Sequence, residues 1–276
     1  MRTLFISDLD GTLLGSDSRI SDESRRMLNA AIGRGAMFSI VTARTPGTVA
    51  DITAGLDLRM PAVVMTGAAM WDRNTGQYTD VQYFRREALD FVRAAYARPG
   101  APAFCYTLRD GMIEIYHIGP LNEPERHFME ERRHNPYKRF LVNEDGSSDI
   151  PDTLDDAVLF FGIQPTGMAR RVLEDIRDYP LVTPMFYHDI YGPEWAEMEA
   201  FADTASKAQA VSRLARRVEA DRIVVFGDNL NDISMMQVAD TAVAVGNAVD
   251  EVKEIADVVI GPNTADAVAR YIYENS

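Results

Sequence analysis

Short runs that are apolar at nearly every position most restrict how this chain can fold. TLFIS (3–7), AMFSIVT (36–42) and PAVVMT (61–66) are of this kind. A strand with one wet face alternates polar and apolar residues. A strand that is apolar throughout is covered on both faces, as in a parallel sheet between helical layers. Helical patterns separate the runs. SDESRRMLNAAIGRG offers Ser21 as N-cap, Asp22 and Glu23 where the helix dipole favours negative charge, and Gly35 as a stop. TPGTVADITAGL places Pro46 in a first turn. Strand, helix and strand in succession at this spacing predict βαβ units.

The rhythm changes after residue 66. AAMWDRNTGQYTDVQYF reads as a hairpin turned at Asn74–Gly76. Helices are expected at 86–97, 122–134 and 166–178, with strands near 104–107, 112–117, 158–163 and 181–188. The segment RFLVNEDGSSDIPDTLDD reads as a polar, turn-rich, exposed loop. From about residue 190 the first rhythm resumes, with WAEMEA read as a strand, TASKAQAVSRLARRVE as a helix, RIVVFGD as a strand and NDISMMQVA as a helix. TAVAVG and DVVIG are further strands, EVKEIA and ADAVARYIYEN further helices. The fold expected is α/β: a Rossmann-like parallel-sheet core from 1–83 and 189–276, interrupted by an α+β domain at 84–188.

Composition narrows the function. The 276 residues carry a formal net charge of −14, and no basic stripe offsets it. Nucleic acid and anionic membrane surfaces are therefore not expected partners. The one cysteine, Cys105 in the run AFCY, permits no internal disulfide and reads as core filler. With no apolar stretch long enough to span a bilayer and no leader pattern, the expected location is cytoplasmic.

Four motifs carry chemistry. In DLDGTLL, an apolar strand runs straight into Asp8 and Asp10. Acids at a buried strand end are costly unless paired or bound to a cation. One carboxylate can attack phosphorus while the other handles a proton, with Mg²⁺ gathering acids and phosphate. The bland reading is a turn or cap. An EF-hand loop fails on register, because Gly11 follows the second acid directly and position 12 of such a loop would be Arg19. VTAR puts Thr42 before a helix start, a site for an anion or simply an N-cap. Lys207 stands near another helix start, where a cation is disfavoured unless an anion is close; in isolation it reads as a solvated lysine. VVFGDNLND ends a further apolar strand in Asp228, Asn229, Asn231 and Asp232, hard oxygen donors suited to Mg²⁺.

Together, Asp8-Leu9-Asp10-Gly11-Thr12, Thr42, Lys207 and Gly227-Asp228-Asn229-Leu230-Asn231-Asp232 resemble, in order and spacing, the haloacid dehalogenase-like superfamily. Within it they resemble the Cof-type phosphatases, whose α+β cap is of type IIB. The resemblance implies that Asp8 is the nucleophile. It implies that Asp10 protonates the leaving alcohol, then activates water, while its backbone carbonyl binds Mg²⁺. Thr42 and Lys207 would hold the phosphate, with Ala43 and Asn231 on the same side, and Lys207 would also fix Asp8. Asp228 would ligate Mg²⁺ and Asp232 support the site. Arg44 either contacts phosphate or substrate, or braces the motif. Three positions depart from the family pattern: Ala43 and Ala208 stand where Gly is usual, and Thr66 precedes Gly67 where Ser or Asn is usual.

The implied activity is Mg²⁺-dependent hydrolysis of small phosphate monoesters, such as sugar phosphates, through an aspartyl-phosphate. A phosphomutase or phosphotransferase of the same superfamily, or a catalytically silent binding protein, are the alternatives. Dehalogenation is disfavoured, since removal of a halide needs no acid such as Asp10. In the inserted domain, Tyr106, His117, Arg126 and His188 read as structural or surface residues before binding ones.

Overall fold

The computed structural model describes residues 2–151, 153–188 and 194–276. The chain forms two compact units, residues 1–80 with 206–276, and 81–205.

The first unit begins with β1 (Thr3–Ser7), α1 (Asp22–Gly33), β2 (Met37–Ile40) and α2 (Pro46–Ile52), then β3 (Ala62–Val64), β4 (Ala69–Trp71) and β5 (Tyr78–Thr79). Ser21 caps α1 by accepting from the Ser24 amide, and Pro46 opens α2, as predicted. β3, β4 and β5 pair antiparallel, which is the expected hairpin with one further strand.

The second unit contains α3 (Arg86–Tyr96), β6 (Ala103–Arg109), β7 (Met112–Ile118), α4 (Glu123–Arg132), β8 (Lys138–Phe140), β9 (Ala157–Pro165), α5 (Thr166–Ile176), β10 (Val182–His188) and β11 (Trp195–Ala202). Its strands form one sheet in the order β10-β11-β9-β6-β7-β8. Leu89 and Val92 of α3 and Val172 and Ile176 of α5 pack with Cys105, Phe160, Met198 and Ala200 from one sheet face. On the other face, Phe128 of α4 meets Phe104 and Phe161. Cys105 is fully buried, in keeping with core filler. Tyr106 and His117 are also buried, and the His117 ring bonds the equally buried Glu125 at 3.2 Å. Arg126 is exposed, and the side chain of His188 lies outside the described residues.

Two expectations are corrected here. The strand 195–200 belongs to the inserted unit, not to the core, because β11 pairs antiparallel with β9 and β10. The second boundary therefore falls at 205/206 in place of 188/189. The physical cause is visible in WAEMEA: Ala196, Met198 and Ala200 enter the hydrophobic core while Glu197 and Glu199 take the opposite face. That alternation belongs to an antiparallel strand with one polar face. The loop 139–156 also gives up its first residues to β8, which pairs parallel with β7.

The chain then returns to the first unit with α6 (Lys207–Arg217), β12 (Arg222–Gly227), α7 (Ile233–Met236), β13 (Thr241–Ala244), α8 (Asp250–Ile255), β14 (Val258–Val259) and α9 (Ala267–Asn275). The core sheet has the order β14-β13-β12-β1-β2, with every pair parallel. Beyond β2, a parallel bridge from Val41 to Val63 brings β3 alongside. Leu4, Phe5 and Ile6 are all buried, so β1 is covered on both faces as its composition requires. This is the α/β parallel-sheet core the sequence predicts. The helix expected over 231–239 is shorter, because residues Leu230–Asp232 form a 3-10 turn in which Asn229 and Asp232 cap one another.

Candidate active site

Three adjacent parallel strands end at one edge of the core sheet, where ligands of open α/β sheets bind. Asp228 follows β12, Asp8 follows β1 and Thr42 lies just beyond β2. The Asp8 amide donates to the Phe226 carbonyl at 3.0 Å, which holds the first two strand ends together. Lys207 comes from the start of α6, capped by Ser206.

The Lys207 ammonium donates to Asp8 Oδ1 and to Asp232 Oδ1, each at 2.7 Å. Lys207 is 2% exposed and Asp232 0%, so the solvated-lysine reading is overturned. The Asp232 carboxylate is fully used: its Oδ2 accepts the amides of Asp228 and Asn229 at 3.0 and 3.2 Å. It anchors the lysine and shapes the turn. Asp228 lies beside it, its Oδ1 accepting from Thr12 Oγ1 at 2.8 Å.

Asp8, Asp228 and Asp232 present carboxylate oxygens within 4.8 Å of one another. Three carboxylates face one ammonium, and burial is the largest cause acting on each shifted group. Burial pushes the Asp8 carboxyl up to about 7; Lys207 opposes this, while Asp232 and Asp228 add to it. Burial also raises Asp228, with Asp232 adding to the effect and Thr12 opposing it. Lys207 is disfavoured as a cation by burial, yet Asp8 and Asp232 outweigh this and hold it above its ordinary value. Three carboxylates are thus set against a single ammonium. The two charges left over, on hard oxygen donors, fit a divalent cation.

Gly11 makes this crowding possible. It has φ +74°, and a Cβ there would lie 2.2 Å from Asp228 Oδ2. The expected result for Gly11→Ala is a loss of cation affinity of at least about tenfold, through a displaced Asp228 carboxylate, with some loss of stability from the left-handed backbone. Calorimetric titration with Mg²⁺ checks it.

Asp10 points elsewhere. Arg44 forks onto its carboxylate, Nε to Oδ2 and Nη2 to Oδ1, both at 2.7 Å. Of the two readings for Arg44, bracing the motif is the one this geometry displays. The Asp10 carboxylate also does not join the acid cluster, so only its backbone carbonyl is left as a donor from that residue. Thr42 is buried and its Oγ1 accepts the Arg44 amide at 3.1 Å. Ala43 and Asn231 are exposed. Asn247 escaped sequence reasoning: its amide donates to the Gly11 carbonyl at 2.7 Å. A partner 236 residues away leaves no local signal. Thr12 stood inside the motif without a role, and its bond to Asp228 supplies one.

The sequence matches the haloacid dehalogenase-like hydrolases over residues 5–272, and the chain belongs to that family. Its named relatives include phosphatases. It is 26% identical over 274 residues to the 5-amino-6-(5-phospho-D-ribitylamino)uracil phosphatase YcsE of Bacillus subtilis, covering 98% of this chain and 94% of that one. It is 52% identical over 68 residues to the pyridoxal phosphate phosphatase YbhA of Escherichia coli, a match confined to 23% of this chain and 25% of the relative. Among solved structures, the subclass IIB sugar phosphatase BT4131 shares the fold with a TM-score of 0.69 and 21% identity, over 100% of this chain and 99% of that one. The protein is thus an enzyme of the phosphatase type. Among the described residues, no helix is long and apolar enough to cross a membrane.

Proposed function

We propose that the protein is a Mg²⁺-dependent phosphatase of small phosphate monoesters that works through an aspartyl-phosphate on Asp8. The observation that carries this reading is the buried Asp8 carboxylate, held by Lys207 at a strand end with Asp228 beside it. A cap or turn acid needs neither a buried lysine nor two further acids. Its second oxygen is left to attack phosphorus in line with the departing alkoxide.

Asp8, Asp228 and the backbone carbonyl of Asp10 are the proposed cation ligands. When bound, Mg²⁺ would offset the charge of the carboxylates and of the phosphoryl oxygens. Lys207 fixes Asp8 and offers its remaining hydrogen to the phosphoryl group. Thr42, the backbone at Ala43 and Asn231 are proposed to complete the phosphate contacts. Asp10, once released from Arg44 and protonated from solvent, gives that proton to the leaving alcohol and later takes one from the attacking water. A silent binding protein would have no use for this paired acid, base and lysine.

The second unit holds none of these residues, and we assign it the choice of substrate: a small, polar, monophosphorylated compound such as a sugar phosphate. Replacing residues 81–205 by a short linker is expected to raise KM for the best substrate and relax selectivity while sparing some turnover of a small aryl phosphate. A preference of the intact enzyme for phosphoprotein or nucleic acid over every small ester would count against this assignment. The function itself is tested by a screen of sugar phosphates, pyridoxal phosphate and nucleotide monophosphates with Mg²⁺, measuring released phosphate. Transfer of phosphate to an added alcohol or sugar, with none released to water, would point to a phosphotransferase. No turnover of any ester would refute the phosphatase reading.

A further inference from the structure

The turn after β3 is built against backbone preference. Met65, Thr66 and Gly67 have φ of 49°, 55° and 96° in succession. Glycine tolerates this region, whereas a β-branched residue is a strained outlier there. The surroundings hold the turn in place. The Thr66 amide donates to the Thr42 carbonyl and the Met65 amide to the Arg44 carbonyl, both at 3.0 Å. On its other side Gly67 abuts the residue before Lys207, so closely that a Cβ would lie 2.4 Å from the Ser206 carbonyl oxygen. Arg213 of α6 donates to the Gly67 carbonyl at 3.1 Å and so ties the turn to the same helix. Thr66 is thereby wedged between the two segments that carry Thr42 and Lys207.

A second observation is independent of the strain. Thr66 is 2% exposed, and its Oγ1 has no hydrogen-bond partner among the described residues. A buried hydroxyl without a partner carries a desolvation cost of its own. Thr42 and Lys207 are just as buried, at 1% and 2%, so Thr66 is no further from solvent than the groups proposed to hold phosphate. Valine would fill the same space without the polar penalty, and glycine or asparagine would take the same backbone with less strain. Neither cost is explained by packing.

We infer that Thr66 is an additional oxyanion-binding residue, its hydroxyl donating to a phosphate oxygen lodged between Thr42 and Lys207. The inference rests on the phosphatase reading and adds to it a contact that the acid motifs do not contain. It also gives a reason for threonine at a position where the backbone disfavours it.

The test compares three variants: Thr66→Val, which removes the hydroxyl at constant shape; Thr66→Gly, which removes it and relieves the backbone; and Thr66→Ser, which keeps it without the branched methyl. Inorganic phosphate serves as the probe, with Mg²⁺ present, as a competitive inhibitor and in calorimetric titration. The Val and Gly variants are expected to raise both KM for the best ester and Ki for phosphate about tenfold, the worth of one hydrogen bond to a charged group, with kcat changing less. Thr66→Ser is expected to recover most of that affinity. Gly and Ser are also expected to melt no lower than the parent, which keeps the comparison sound if the valine variant folds poorly. Equal phosphate affinity in the Gly and Ser variants, with a wild type that binds phosphate, overturns the inference alone. A wild type that neither hydrolyses esters nor binds phosphate overturns the phosphatase reading and the inference together.

Discussion

Asp8→Asn is expected to abolish turnover, by at least about 10⁴-fold, while leaving a folded protein. The amide has nearly the size of the carboxylate and can still sit beside Lys207, but it has no charge with which to attack phosphorus. Stability supplies a second readout with a defined sign. In the folded protein without metal the Asp8 carboxyl is pushed up to about 7 from its ordinary 3.8. Between those values the folded state keeps a proton that the unfolded chain gives up, so this group's contribution to stability falls as pH rises through the window. The parent without metal is therefore expected to lose melting temperature relative to Asp8→Asn between about pH 4 and pH 7. Added Mg²⁺ should reverse that loss in the parent only. Melting curves across this range check the sign, and phosphate release at saturating ester checks the turnover. Retention of more than a few per cent of turnover would sink the aspartyl-phosphate.

Removal of the divalent ion is the second large effect. Exhaustive chelation is expected to stop turnover, and Mg²⁺ to restore it better than Zn²⁺, because the cluster offers carboxylate oxygens and no His or Cys. Asp228→Ala isolates the cause. It removes a proposed ligand and should weaken Mg²⁺ by more than the roughly 10–100-fold that loss of an outer partner costs. Its stability without metal should fall little, since burial and Asp232 already disfavour the charge on Asp228. What is lost in folding is the part-buried hydrogen bond from Thr12, worth about 0.5–1.5 kcal/mol, and relief of like-charge crowding offsets much of it. Calorimetric titration of Mg²⁺ beside melting curves separates the two effects. Full activity in chelator would exclude the proposed cation site.

Much of this was legible along the chain because the determining forces are local. Apolar runs with no polar face can only be buried on both sides, and β1, β2 and β12 are strands of the parallel core. Acids placed directly after such runs must emerge at the strand ends, so Asp8 and Asp228 arrive on neighbouring strands by topology alone. What the sequence could not decide were matters of pairing. Lys207 reads as a solvated lysine until the fold brings it to Asp8, 199 residues away, and to Asp232. Arg44 is ambiguous until the path of the chain sets its guanidinium on Asp10. WAEMEA reads as part of the resumed core rhythm yet pairs within the inserted unit, because a strand's partners follow from the whole sheet and not from its own residues. The physical reason is common to all three. A backbone conformation is set within a few residues, whereas the state of a charge or a sheet edge depends on which distant groups are buried with it. Local pattern therefore determined the elements and the candidate acids, and only the tertiary structure determined which cation each acid keeps, and that Thr66 stands between the segments of Thr42 and Lys207 with a hydroxyl that has no partner among the described residues.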